Sequence, residues 1–468
     1  ATLADCTGNF DTPGGMRGTT QGVIDGDPGL RSWALPMLDT EICDKVIGGE
    51  EMPLLKWWRM WAHAPAEYNA MVTGEPYPLV GGINQSGDML NQGNTNTNWE
   101  SLKHLQFFVQ VDLWNAPTAD MADILLPCAH WLEIDGPRTS QGSHGAMGAT
   151  CKVIEPPAEV RNDMDITIGF YRAMGQPWSP DPNDPTPDSS WELDSCCSLI
   201  GKTWEQYRAD FQEHGWWDCK ALYPYQWGTY RRYETGALRN MQGLEPLPHE
   251  QMVPGFKTPT MKEEVWSTVM ETYCPDQDVE LPAWHEPPRT DRSRPDLAEE
   301  YPLLATTGRR IPVYFHSEHR QLPWCRELWP VPRMEINPED AAKLGIEQGD
   351  WCWIETEFGR IEEVADLYYG VKPGVINLEH QWWYPELKTP GRGFQLSAVN
   401  ILTNPEDVDP LCGSANLRAY MVKVYKATPD NSPDGNPVPH DSEGTEVIAS
   451  ADDPRLKEWL PVYDGKDE

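Results

Sequence analysis

The sequence predicts an α/β unit built on a parallel sheet, followed by a compact β-barrel. Two stretches carry this expectation. Between residues 77 and 133, apolar runs alternate with capped helical spacing, the pattern of a βαβ unit. From residue 301 onward, short strands follow one another with a single small helix among them, the pattern of a barrel.

The elements follow in order. "YPLVGGIN" (77–84) is an apolar run that ends in Gln85-Ser86-Gly87-Asp88, a loop of small and polar residues. "TNWESLKHL" (97–105) places Trp99, Leu102 and Leu105 on one helical side, with Thr97 or Asn98 as cap. "QFFVQVDL" (106–113) is β-rich and ends at Asp112, and "PTADMADILLP" (117–127) offers a helix start at Pro117-Thr118 with Asp120 in the first turn. In a parallel sheet the loops beyond the strand C-termini form the ligand crevice, and Ser86, Gly87, Asp88 and Asp112 occupy those ends. "WSPDPNDPTPDSSWELDS" (178–195) is a Pro/Asp-rich surface excursion, and "WEQYRADFQEHGWW" (204–217) has helical spacing. "WGTYRRYETGALR" (227–239) is a basic island, either a solvated loop or a face toward an anion or partner. "YPLLATTG" (301–308) is strand-like. Asn337 then caps a helix with Pro338 at its first position, Glu339 and Asp340 in its first turn, and Gly345 at its end. "WCWIET" is a strand with Cys352 and Ile354 on one face. Beyond Lys426 the composition turns to Pro, Asp, Ser and Gly, a loosely held tail to Glu468.

Composition bounds the function classes. The 468 residues include 73 acidic and 37 basic side chains, a formal net charge of −36. Such a surface repels phosphate backbones and disfavours nucleic acid and anionic membrane as partners. There are 38 Gly and 44 Pro, above ordinary usage but short of the roughly 25–30% that marks low complexity. Eleven Cys, with no C-x-x-C pair and one adjacent pair at Cys196-Cys197, argue against a disulfide scaffold, a Cys-rich zinc site or a complete iron–sulfur motif. No apolar run approaches the roughly 20 residues of a membrane span. The opening "ATLADCTGNFDTPGGMRG" has the character of the middle of a longer polypeptide or of one chain of a split enzyme.

Six stretches, in this order and spacing, resemble the later part of a large molybdopterin-dependent oxidoreductase of the dimethyl sulfoxide reductase superfamily. They are "GNFDTPGG" (8–15), "VDLWNAPTADMADILLPCAHWLE" (111–133), "GFKTPTMKEEVWS" (255–267), "YPLLATTGRRIPVYFHSEHRQLPWCRE" (301–327), "INPEDAAKLGIEQGDWCWIETEFGRI" (336–361) and "VNILT" (399–403). "FHSEHRQ" with "EHQWWYPE" (379–386) is similar to one branch, which contains acetylene hydratase and the anaerobic catechol-type dehydroxylases.

The resemblance implies a bis-molybdopterin guanine dinucleotide cofactor carrying Mo or W. It also implies a partial α/β Rossmann-like domain over 1–295, with an irregular insertion at about 178–250. A double-psi-type β-barrel domain would cover 296–427, and an acidic Pro/Asp-rich tail 428–468. In an acidic protein a polyanionic cofactor must be held locally, by loop and helix N–H groups and a few Arg residues. Ser86, Gly87 and Asp88 are then expected near the guanosine phosphates or ribose. Asp112 would accept from guanine N1–H and N2–H₂, or else cap its strand end. Thr118 sits at a helix start, which it either caps or serves. Gly308, Arg309, His316 and Ser317 would line the pterin and pyrophosphate, with Asn400 and Arg418 from the last strands; the alternatives are a core role for His316 and a surface ion pair for Arg309. Trp382-Trp383 is expected to pack in the barrel rather than wall a substrate. "TPTMKEE" departs from the family's Ser-Gly-Lys form, which leaves Lys262 without an assigned pterin contact.

The resemblance assigns no catalytic residue and no metal ligand to this stretch; both, with a [4Fe-4S] cluster, belong to an N-terminal catalytic half or partner chain. Further expected partners are an electron-transfer iron–sulfur protein and a small-molecule substrate. The expected activity is prokaryotic, anaerobic, reductive dehydroxylation of a small aromatic. The alternatives are acetylene hydration, another oxyanion or sulfur oxidoreduction, and a non-catalytic accessory chain. Cytoplasmic placement and folded export through a twin-arginine signal are both compatible with the branch.

Overall fold

The computed structural model describes residues 2–16, 41, 44–58, 62–85, 87–138, 146–175, 193–194, 197, 201–215, 217–218, 230–236, 252–256, 258–275, 277–309, 311–433 and 435. Ser86, Arg310, most of the 178–250 insertion and most of the tail lie outside the described residues.

The βαβ unit forms as the sequence predicts. Strands β1 (Gly81–Gln85) and β2 (Phe107–Asp112) pair in parallel, from Gly81↔Phe107 to Gln85↔Val111. The helix between them runs Thr95–Leu102 and buries Trp99 and Leu102. Its cap is Asn94 rather than Thr97 or Asn98: Asn94 adopts φ 53° and its side chain accepts from Thr97 N. Asn is among the few residues that tolerate this left-handed conformation. The expected helix at 117–127 is instead a 3-10 turn, Pro117–Met121, followed by strand β3 (Ile124–Pro127) beside β2. Asp123 explains the change: its backbone N–H donates to Phe108 O, and its carboxylate accepts from Phe108 N. That exchange draws the chain into the sheet.

A second small sheet joins β4 (Gly136–Arg138), β5 (Ala146–Thr150) and β6 (Trp217–Asp218) in antiparallel order. Near it the helix Trp204–His214 begins on a complete capping box, Thr203 with Gln206, and ends at Gly215 in the left-handed region.

The barrel is closed, with strand order β10-β8-β11-β7-β12-β9. Its strands are β7 (Leu303–Arg309), β8 (Arg333–Ile336), β9 (Trp351–Glu355), β10 (Arg360–Leu367), β11 (Val375–Glu379) and β12 (Tyr420–Lys426). β7 and β11 pair in parallel, as do β8 and β10; the other ladders are antiparallel. The helix Pro338–Leu344 has the predicted cap, with Asn337 accepting from Glu339 N, and stops at Gly345 with φ 68°. Cys352 and Ile354 both face inward and are fully buried.

The barrel core contains Ile336, Ile354, Ile361, Ile376, Leu378 and Val422, each inaccessible to solvent. Burying one such side chain stabilises by roughly 1.5–3 kcal/mol. Leu90, Trp99, Leu102 and Ala116 of the βαβ unit belong to the same cluster, and Trp99 packs on Phe394 with ring centroids 5.0 Å apart. By packing, the chain divides into two compact units. One compact unit comprises 45–55, 61–126 and 284–468; the other comprises 1–44, 56–60 and 127–283. No helix among the described residues is long and apolar enough to cross a membrane.

Candidate functional site

The first unit named, holding the barrel and the βαβ strands, gathers most of the sequence-nominated residues. At the C-terminal ends of β1 and β2 two amide side chains fix the following loop. Asn84 donates to Gln110 Oε1 at 2.8 Å and to the Gly87 carbonyl, and Gln110 donates to that carbonyl and to Asp112 Oδ2, both at 3.0 Å. Asp112 Oδ1 accepts from Leu113 N and Trp114 N at 2.7 and 3.2 Å. Its carboxylate therefore closes the strand end while remaining partly exposed.

Asp88 is the hub. It caps the short turn Met89–Asn91 by accepting from Leu90 N at 3.2 Å, and it accepts from the Thr118 hydroxyl. Thr118 is fully buried and does not cap its own turn; its oxygen instead accepts from Leu90 N at 3.3 Å. Burial raises the Asp88 carboxyl above its ordinary range and the Asp112 charge adds to this, while hydrogen bonds from Thr118, Ser317 and Leu90 N pull it back.

From the barrel side, Trp383 Nε1 donates to Ser317 O at 2.6 Å, Gln381 Nε2 to Leu90 O at 3.0 Å, and Asn400 Nδ2 to Asn91 O at 2.8 Å. His316 and His380 meet ring to ring, Nδ1 to Nε2, at 2.7 Å. His316 holds φ 47° and Gln381 φ 39°. A left-handed backbone at such side chains costs free energy and survives where surrounding contacts over-determine it. Here Arg320 supplies them, donating to the carbonyls of His316, Glu318 and His380.

Gly87, Asp88, Asp112, Thr118, His316, Ser317 and Asn400 thus share one neighbourhood. Gly308 and Arg309 end β7, where Arg309 is the register partner of Glu379 beside a β-bulge. Arg418 stands exposed outside this network, its backbone N–H bonded to Asn416 Oδ1 at 3.4 Å. Thr307 Oγ1, donating to Leu417 O at 2.7 Å, brings that segment to the end of β7. Trp382 and Trp383 are both buried; Trp383 packs in the barrel core as expected, while Trp382 belongs to a separate small cluster with Ile311, Tyr314, Cys325 and Tyr384.

Sequence reasoning missed Asn84, Gln110, Asn91, Arg320, His380 and Gln381. A signal existed for the first two, since polar amides near the ends of otherwise apolar strands need a reason to be there. The others depend on pairings across the chain.

A pterin dinucleotide presents ring N–H and amino donors and needs acceptors placed in advance. Asn91 Oδ1 and Gln381 Oε1 are buried acceptors with no hydrogen-bond partner. They flank the residues already gathered, so the set suits such a group. No cluster of three or more His, Cys, Asp or Glu side chains that could hold a metal occurs among the described residues.

Residues 67–171 match the molybdopterin oxidoreductase family, and residues 303–421 match the molydopterin dinucleotide binding domain. The chain is 51% identical to dopamine dehydroxylase of Eggerthella lenta over 509 aligned positions, covering 99% of this chain and 50% of the relative. It is 28% identical to acetylene hydratase of Syntrophotalea acetylenica, covering 78% of this chain and 46% of that protein. The solved acetylene hydratase from Pelobacter acetylenicus superposes with a TM-score of 0.70 at 26% identity, over 83% of this chain and 53% of its own. The chain spans about half the length of the relatives it matches. The chain thus carries two domains of the molybdopterin oxidoreductases on one polypeptide, and its likenesses are consistent with the dimethyl sulfoxide reductase superfamily.

Proposed function

We propose that this chain is the cofactor-cradling part of a bis-molybdopterin guanine dinucleotide enzyme with Mo or W, acting as a reductive dehydroxylase of small catechol-type aromatics. The observation that carries the reading is the buried Asp88–Thr118–Ser317 network at the strand ends, in a chain half identical to a dopamine dehydroxylase. The net conversion takes an aromatic hydroxyl, two electrons and two protons to an aromatic C–H and water. When bound, the group supplies a metal centre that exchanges electrons with the substrate.

Asp112 would orient the guanine through its carboxylate. Gly87, pinned by Asn84 and Gln110, would offer its loop to the phosphates, and Asn91 and Gln381 would accept from the pterin edge. Burial keeps water from the Asn91 and Gln381 acceptors. The metal ligand, a [4Fe-4S] cluster and the substrate's proton donor would lie in the remaining half, on this polypeptide or on a partner chain. The strand–helix–strand unit fits a Rossmann-like lobe, and the closed six-stranded barrel fits a double-psi type.

Anaerobic isolation with native partners is expected to give about one Mo or W and two pterins per assembly, and reduced-dye turnover of a catechol. The likeness to acetylene hydratase favours a second reading, and turnover of acetylene with failure on every catechol would select it. Neither metal nor pterin would reduce the chain to an accessory protein. Asp112→Asn is expected to weaken guanine dinucleotide retention about tenfold to a hundredfold, the worth of a charged hydrogen-bond set. Nucleotide released per chain after gel filtration measures this, and unchanged loading would remove Asp112 from the guanine site.

A further inference from the structure

The segment between β7 and β8 and the one after β11 share a small core, made by Ile311, Tyr314 and Cys325 from the first and Trp382 and Tyr384 from the second. Two arginines are buried in it, Arg320 at 1% and Arg326 at 0% exposure. Both guanidiniums lie over the Trp382 indole, at 5.0 and 5.7 Å, and Arg320 also lies 4.5 Å from the Tyr314 ring. Arg326 is paired with Glu386 at 2.7 Å. Arg320 bonds three backbone carbonyls and no carboxylate among the described residues. A buried charge normally has a counter-ion, and a guanidinium bonded to carbonyls alone keeps its full charge.

The donors point the same way. Arg320 Nε, Arg326 Nε and Trp382 Nε1 are buried and lack a partner among the described residues. Buried N–H groups are satisfied in the great majority of native structures, so three orphan donors on one indole and the two guanidiniums that cover it signal an acceptor-rich guest. The carboxylate best placed to balance Arg320 electrostatically is Glu379, and burial holds it protonated up to about pH 7. Burial, and then the charge of Arg326, lowers the Arg320 guanidinium to about 10, so it remains charged at neutral pH. The aromatic walls and lack of exposure favour a small, weakly hydrated guest over a phosphate or an organic acid.

We propose that Arg320, Arg326 and Trp382 form a buried site for a single halide-sized monovalent anion. The anion fastens the segment that carries His316 and Ser317. This inference goes beyond the dehydroxylase reading and does not depend on pterin content.

Bromide is the probe, used on the full chain with whatever partners it purifies with. Crystals grown in sodium bromide and measured at the bromine edge are expected to show an anomalous peak within hydrogen-bonding reach of Arg320 Nε, Arg326 Nε or Trp382 Nε1. In thermal melts at constant ionic strength, replacing gluconate with bromide is expected to raise Tm saturably, as for any ligand of the native state. Trp382→Phe keeps the ring but removes one donor, and should weaken the bromide midpoint by about tenfold. Water on these donors, no anomalous peak, or equal melting in bromide and gluconate would each overturn the site. An unchanged bromide midpoint in the Phe variant would remove Trp382 from it.

Discussion

Arg232→Met is expected to destabilise its compact unit by about 3–5 kcal/mol, the usual cost of stripping one partner from a buried ion pair. Both members, Arg232 and Asp11, are fully buried. Asp11 accepts from Arg232 Nε at 3.0 and 3.1 Å, from its NH2 group at 2.9 Å and from its backbone N at 2.7 Å, while Asp11 O accepts from Arg231 N. Asp11 also holds φ 50°. The arginine therefore staples a left-handed turn near the start of the chain to a short helix some 220 residues on. The methionine variant leaves a carboxylate without its cation in a dry site. Adding Asp11→Asn removes that charge and keeps a residue tolerant of the backbone, so the double variant should recover part of the loss. Urea unfolding of the wild type and the two variants measures both effects, and a loss under about 1 kcal/mol in the methionine variant would show that the pair is not a staple.

Glu379→Gln is expected to stabilise the barrel unit in alkali and to leave it unchanged in acid. Glu379 sits at the end of β11, where it accepts from Trp329 Nε1 at 2.7 Å and from Arg333 N at 3.1 Å. Burial pushes its carboxyl up to about 7, against the pull of the Trp329 indole and the charges of Arg320 and Arg333. Behind it Glu363, fully buried, accepts from Glu379 N at 3.3 Å and is raised well above the usual range, first by burial and then by the Glu379 charge. The folded state thus holds the Glu379 proton more tightly than the unfolded chain does. The stability tied to that proton is fully present below about pH 4.5 and is lost as pH rises to about 7. At roughly 1.4 kcal/mol per pH unit the loss reaches about 3 kcal/mol. Glutamine keeps an acceptor oxygen for both donors and carries no proton to lose. Unfolding curves from pH 4.5 to 8 should therefore diverge, with the variant more stable at the top. Parallel curves would mean that Glu379 ionises in the fold at no cost.

Local signals carried much of this protein's architecture. The Asn337 cap, Pro338 and Gly345 are steric and hydrogen-bonding instructions complete within a few residues, and that helix formed as read. The same holds for the helical spacing after Thr203 and the alternation of "WCWIET". The reading failed at Pro117–Pro127, where good helix-start chemistry lost to Asp123 and its exchange with Phe108 on the neighbouring strand. It failed again at Asn94, because a cap in the left-handed region is invisible to a search for extended caps.

By itself the sequence determined the βαβ unit, the barrel strands and the loops at the strand ends, since all of these rest on short-range pattern; the family entered as a resemblance of motifs in order. Only the tertiary structure decided which side chains meet. Thr118 reaches Asp88 across 30 residues, His316 reaches His380 across 64, and Asn400 reaches Asn91 across 309. Periodicity assigns a face to a side chain and says nothing of its partner. Partners are set by barrel closure, which brings distant strand ends together and leaves buried polar groups to satisfy one another.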